Sequence, residues 1–254
     1  MAKVIAIANQ KGGIGKTTTA VSLAAGLQKK GYKTILIDTD SQCNATDTYG
    51  AKVEDTATLY DLLFENAALD ECIQETDAGH IIACDPLLQS AEKKFPDDFG
   101  RFFVLREKCS KLNEMYDFVI IDTPPQLGVI LSNVIAYANE IIVPLTCDRY
   151  GVAGIDLLYK TIASAKKVAN PDLKIAGILL IKYSERLNLN KDIKSSLEQI
   201  AGNLNTKVFE TRIRESVACR ESQVARKTVF EYAPNSTTAA DYMNFCEELL
   251  KGEE

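Results

Sequence analysis

An apolar run, KVIAIAN from Lys3, empties into the glycine-dense stretch KGGIGKTTT at Lys11–Thr19, and a helical pattern follows at once. Val21, Leu23, Ala24 and Leu27 mark the apolar face of a helix over Thr17–Lys30, with Gly31 as its stop. Strand, glycine loop, helix is a restrictive order. Glycines at 12, 13 and 15 let the backbone curl so that successive N–H groups point at one spot, and the helix N-terminus adds partial positive charge there. Such a loop is built for phosphate. Lys16 is placed to reach β- and γ-phosphates, and the Thr17 hydroxyl to ligate magnesium. The general pattern GxxxxGK[ST] is broken at its first position, where Gln10 stands, so from these residues alone a chance glycine-rich turn stays open.

The rest of the chain repeats the alternation. KTILID at Lys33–Asp38, FVIID at Phe118–Asp122, EIIVPL at Glu140–Leu145 and KIAGILLI at Lys174–Ile181 are near-continuous apolar runs, as expected of strands covered on both faces of a parallel sheet. Helical segments fall between them, roughly at Gly128–Ala138, Gly151–Val168 and Asn190–Gly202, and a closing amphipathic helix at Thr237–Leu250. The region Asp55–Asn113 is less regular, with a strand expected at His80–Cys84. With no long Pro/Gly/Ser linker and no internal repeat, residues 1–254 read as a single domain: α/β, a doubly wound, mostly parallel sheet of the P-loop NTPase type.

Two of these strands end in carboxylates that magnesium chemistry needs. Asp122 closes FVIID, and Asp38 and Asp40 close ILIDTD. A carboxylate beside the γ-phosphate can also orient an attacking water. Any one of the three alone could equally be a helix cap or a turn residue; three converging on one loop are hard to explain structurally.

Composition excludes several other classes. Seven cysteines, an odd number with no CxxC pair, argue against a disulfide framework or a zinc site, and the lone histidine, His80, is expected at the surface or a strand edge. The net charge of -6 argues against a globally basic nucleic-acid binder but leaves room for a local patch. No apolar run approaches the ~20 residues of a spanning helix. No signal-peptide pattern precedes the first strand, so the expected location is cytoplasmic.

KGGIGKTTT, ILIDTDSQCNAT and FVIIDTPPQLG, in this order, resemble the ParA/Soj partition ATPases of the deviant-Walker, MinD-like class. The resemblance runs from Lys3 to about Leu250 and is strongest through Leu145. It implies an ATPase that uses ATP and Mg2+, with two subunits sandwiching two nucleotides in a homodimer. Lys11 matches the signature lysine that reaches the partner's nucleotide. Lys16 matches the lysine on the subunit's own phosphates, within an ATP-binding set of Lys11, Gly12, Gly13, Ile14, Gly15, Lys16, Thr17 and Thr18. Thr17 and Asp122 match the magnesium positions. Asp40 matches the carboxylate needed for hydrolysis, with Asp38 at the start of the same switch. Lys11, Lys16 and Asp40 form the implied catalytic set. The resemblance further implies nonspecific DNA binding by the ATP dimer, release stimulated by a ParB-like centromere-binding protein, and nucleoid association.

Two departures stand out. SQCN at 41–44 replaces the family's usual PQGN; Ser41 takes the place of proline, while Gln42 and Asn44 are kept. TRIRESVACRESQ, Thr211–Gln223, replaces a segment in which proline and asparagine flank the adenine; Arg214 and Ser216 stand there instead, the arginine able to stack on the base. For DNA, Arg186 matches a family arginine, with Lys182 and Lys191 near it. Arg220, two residues beyond the second family position, is accompanied by Arg212, Arg214, Arg226 and Lys227. Interleaved Glu210, Glu215 and Glu221 would equally suit a solvated helix face. Membrane attachment of the MinD kind would need a basic amphipathic tail, and DYMNFCEELLKGEE is acidic. An iron–sulfur carrier on this fold would need a cysteine paired with Cys147, and a pseudo-enzyme would not need Lys11, Lys16, Asp40 and Asp122 intact.

Overall fold

The computed structural model describes residues 1–146, 149–183, 197–198, 200–202 and 205–252. They build one eight-stranded sheet from β1 (Lys3–Ile7), β2 (Thr34–Asp38), β3 (Ile73–Thr76), β4 (Gly79–Ile82), β5 (Phe118–Asp122), β6 (Glu140–Thr146), β7 (Lys174–Tyr183) and β8 (Val208–Arg214). The spatial order is β3-β4-β2-β5-β1-β6-β7-β8, every neighbouring pair parallel except β3 with β4.

The apolar runs behave as their composition requires. Every residue of β2 and β5 is buried, because helices cover both faces of the sheet. The Lys16–Lys29 helix packs against β5 and β2 through Leu23 and Leu27, both fully buried. The helices Val129–Tyr137 and Arg149–Ala169 pack against each other, the first touching β1 and the second β6. The Thr237–Lys251 helix lies on β8 and on the first helix and buries Tyr242, Phe245, Cys246 and Leu249. Its apolar face is therefore spent on the core, where Phe245 meets Phe209 of β8 edge to face at 4.9 Å. Among the described residues no helix is long and apolar enough to cross a membrane.

The register decides where the chemistry sits. Ile7 pairs with Asp122, and Asp38 pairs with Asp122 from the other side, so β1, β5 and β2 end level. All that follows these strands emerges at one carboxyl edge, where open parallel sheets bind ligands.

The strands β3 and β8 were absent from the sequence expectation. β3 has no fully buried residue and mixes polar with apolar positions, and VFETRIR in β8 alternates too irregularly to announce itself. The expected helix at Asn190–Gly202 falls largely outside the described residues, as do Cys147, Arg186 and Lys191. His80 is half-buried in β4, its Nδ1 2.7 Å from the Tyr116 hydroxyl.

Candidate active site

The loop after β1 is shaped by two glycines in left-handed backbone, Gly13 at a φ of 66° and Gly15 at 104°. Gly15 caps the Lys16–Lys29 helix, and a Cβ there would come within 2.9 Å of the Ile181 side chain of β7. The left-handed backbone therefore demands glycine at 15, and any side chain there would also have to displace the tip of Ile181. Ile14 is buried, so its side chain anchors the loop and only its backbone can face a ligand.

Asn9 presents the start of the loop. Its amide donates to the Pro144 carbonyl of β6 at 2.8 Å and its Oδ1 accepts the Lys11 N–H at 2.9 Å. Lys11 itself is exposed. Lys16 is buried, with Nζ 3.4 Å from the Lys11 carbonyl; burial lowers its pKa, while Asp122 and Asp40 pull it back up. Gly12, Gly13, Gly15 and Lys16 line a cleft of about 540 Å³ that runs from the glycine loop past Asp40 to Arg214 and Ser216.

The three strand-end carboxylates separate into different roles. Asp38 is fully buried, and its oxygens accept from Thr46 N at 2.8 Å, Thr46 Oγ1 at 2.7 Å and Asp40 N at 3.1 Å. Burial still pushes its carboxyl up to about 6. Asp38 thus holds the switch together from below. Thr46 Oγ1 also accepts the Cys84 N–H at 2.9 Å, which ties the switch to the segment after β4. Asp40, nearly buried, accepts the Gln42 N–H at 3.1 Å and lines the cleft. Asp122 is fully buried, yet neither of its carboxylate oxygens has a hydrogen-bond partner. Burial, then the neighbouring Asp38, push its pKa well above the carboxylate range; the adjacent Thr17 hydroxyl and Lys16 oppose them. Its backbone is pinned, the carbonyl accepting Thr39 Oγ1 at 2.6 Å and Thr39 N at 3.1 Å.

An orphaned, buried carboxylate beside a threonine hydroxyl and a lysine is costly unless a cation completes it. Hard oxygen donors of this kind suit magnesium, so the residues present fit the metal.

Cys43, in the SQCN departure, adopts a φ of 54°, a conformation favouring the glycine that the family carries at that position. Its N–H donates to the Asp40 carbonyl at 2.8 Å and so closes the turn behind Asp40.

At the far end of the cleft, Arg214 forms a two-pronged pair with Asp241, at 3.0 and 2.6 Å, while its side chain stays about half exposed. Ser216 caps the Val217–Val224 helix, its Oγ accepting from Ala218 N at 3.2 Å. Arg220, expected on DNA, lies at the cleft wall, largely exposed, with Glu215 at 3.6 Å. Other cations of this segment are engaged within the chain. Arg212 donates to the Tyr183 hydroxyl at 3.1 Å, and Arg226 pairs with Asp47 at 3.1 Å. Lys182 donates to the Gly13 carbonyl at 3.0 Å; Arg186, near which it was expected, lies outside the described residues.

Sequence reasoning missed Asn9, Thr46 and Gln223, whose amide reaches Thr18 Oγ1 at 2.6 Å. Asn9 was the one with a readable signal, a polar residue closing an apolar strand directly before the glycine loop.

Thr46→Val is expected to lower the free energy of unfolding by about 1–3 kcal/mol, because Asp38 loses a donor and the Cys84 N–H loses its acceptor in a buried place. Urea unfolding of Thr46→Val beside Thr46→Ser, which keeps the hydroxyl, measures it.

A parallel sheet whose central strand feeds a glycine loop, a buried lysine and an orphaned aspartate at its carboxyl edge defines a P-loop nucleotide-binding protein with a deviant Walker loop. A family model for the AAA domain matches residues 2–175. The chromosome partitioning protein ParA of Myxococcus xanthus is 34% identical over 252 residues, covering 98% of this chain and 88% of that protein. The sporulation initiation inhibitor protein Soj of Bacillus subtilis is 32% identical over 252 residues, covering 98% of both. Among solved structures, cobyrinic acid a,c-diamide synthase from Mycobacterium smegmatis with bound ATP analog and magnesium superposes with a TM-score of 0.87 at 29% identity, covering 100% of this chain and 96% of that one. A putative plasmid partition protein from Borrelia burgdorferi bound to AMPPNP gives a TM-score of 0.83 at 26% identity over 99% and 100% of the two chains. The chain belongs to the ParA/Soj family of ATPases.

Proposed function

We propose that this protein is an ATP-gated partition switch: it binds Mg·ATP, dimerises across the nucleotides, binds DNA without sequence preference in that state, and lets go on hydrolysis. The observation that carries the reading is the bare, buried Asp122 carboxylate beside Thr17 and Lys16, with exposed Lys11 on the same loop.

The geometry supports the following roles. Backbone N–H groups from Gly12 to Thr18 would surround the phosphates, with Lys16 against the negative charge. Thr17 and Asp122 would hold magnesium, Asp122 through a water. Bound there, the metal supplies positive charge against the phosphate oxygens. Asp40 would orient the attacking water, its backbone fixed by Asp38 and the turn through Cys43. The exposed Lys11 would reach the nucleotide of a second subunit. Arg214, held by Asp241 and about half exposed, would stack on the adenine, and Ser216 would serve at the same edge.

DNA contact would come from Arg186 and Arg220, doubled by dimerisation, and a ParB-like protein would stimulate release. On this reading the protein would act in the cytoplasm, on the nucleoid. Support comes from near-full-length curated relatives concerned with chromosome partitioning. The name of the M. smegmatis structure speaks of another reaction, so its likeness supports the nucleotide site rather than the partition role.

The test is a DNA-mobility assay with ATP, ADP or no nucleotide, run beside Mg-dependent phosphate release. The expected result is DNA retention with ATP alone, lost in Arg186→Glu while ATP binding persists. Retention that ignores nucleotide would refute the switch.

A further inference from the structure

β7 ends beneath the glycine loop in an unusual way. Ile181, nearly buried, packs against Gly15. The next residue of a regular strand would point to the opposite face. Lys182 instead takes a φ of 50°, left-handed backbone that a lysine seldom adopts, and this turns its side chain toward the same loop. Its Nζ donates to the Gly13 carbonyl at 3.0 Å, and the residue lines the same cleft as Lys16, Thr17 and Thr18. An ammonium has three donors, so one bond to Gly13 does not exhaust it. Lys16, Lys182, Arg220 and Lys227 line the cleft together with Asp40, Asp47 and Glu215. Lys182 and Arg220 both act electrostatically on the Cys219 thiol, which itself faces the Thr18 hydroxyl.

We propose that Lys182 is a further phosphate-binding residue of this cleft, bracing the Gly13 carbonyl and contacting an oxygen of the nucleotide's phosphate chain. This rests on the reading of the cleft as a Mg·ATP site and deepens it. Lys16 approaches the phosphates from the helix; Lys182 approaches from the strand across the loop. A loop carbonyl near a polyphosphate is repulsive, and a cation on that carbonyl removes the repulsion. The left-handed backbone at 182 is then the means by which a strand residue reaches the loop, a local cost retained at a functional place.

Lys182→Gly, Lys182→Met and Lys182→Arg separate charge from backbone. Glycine keeps the φ of 50° without strain and removes only the side chain. Calorimetric titration of the full-length protein with ATP and with ADP in Mg2+ should show Lys182→Gly and Lys182→Met weakened about tenfold or more, the size of one lost charge-assisted contact. Lys182→Arg should stay near the parent, and thermal melting should find Lys182→Gly no less stable. The ATP affinity of Lys182→Gly should also fall less steeply with salt than the parent's. Parental affinity in Lys182→Gly would overturn the assignment while leaving the ATP-site reading intact, and so would a loss in Lys182→Arg as deep as in Lys182→Met. A parent that takes up neither ATP nor ADP would overturn the reading itself, and Lys182 with it.

Discussion

Asp122→Asn should cut Mg-dependent ATP hydrolysis by about 10²-fold or more, yet leave the nucleotide-free protein more stable than the parent. Both halves follow from the same atoms. The carboxylate is buried with no partner on either oxygen, flanked by Asp38 in register and by Asp40. Burial and the neighbouring carboxylates hold its pKa well above the carboxylate range, so on folding the group either keeps a buried charge or takes up a proton, and the neutral amide avoids both costs. The same change removes the carboxylate proposed to hold the metal. Melting curves with and without Mg·ATP would display the exchange. The parent should gain stability on adding Mg·ATP; Asp122→Asn should start higher and gain little. A variant that starts lower than the parent would mean that Asp122 is satisfied in the free protein and is a structural residue.

The sheet was legible because burial on both faces leaves a plain record: TILID and FVIID are apolar to their last residue and then acidic. The loop was legible because left-handed backbone at 13 and 15 needs glycine there. What the three acidic strand ends do was not. Nothing in ILIDTD says that Asp38 will be consumed by Thr46 and the Asp40 N–H while Asp122 stays bare; that depends on Thr46, eight residues further on, folding back over Asp38. The partners of the second half's cations were not legible for a related reason. Spacing along the chain sets Lys182 near Arg186 and crowds Arg212, Arg214 and Arg226 into a later segment, while in the fold Gly13, Tyr183, Asp241 and Asp47 give Lys182, Arg212, Arg214 and Arg226 separate partners. Charge clusters in sequence report a patch only when no acceptor is nearer in the fold.

Asp40→Ala should lower hydrolysis by about 10²-fold or more while ATP binding persists, so that the protein accumulates as an ATP-bound dimer. The distinction from Asp122 is positional. Asp40 sits on the cleft wall, held through its neighbours' backbone, whereas Asp122 lies beneath the Lys16–Thr17 corner. Removing Asp40 therefore spares the groups that hold phosphate. Light scattering with saturating ATP should report twice the monomer mass for Asp40→Ala and a return to monomer with ADP. Lys11 supplies the second arm. The residue is exposed on a loop whose start is fixed by Asn9. Adding Lys11→Ala to Asp40→Ala should abolish the dimer while ATP binding by each monomer continues through Lys16. An Asp40→Ala protein that stays monomeric at saturating ATP would refute the face-to-face sandwich, and a double variant that still dimerises would show that Lys11 does not reach the partner's nucleotide.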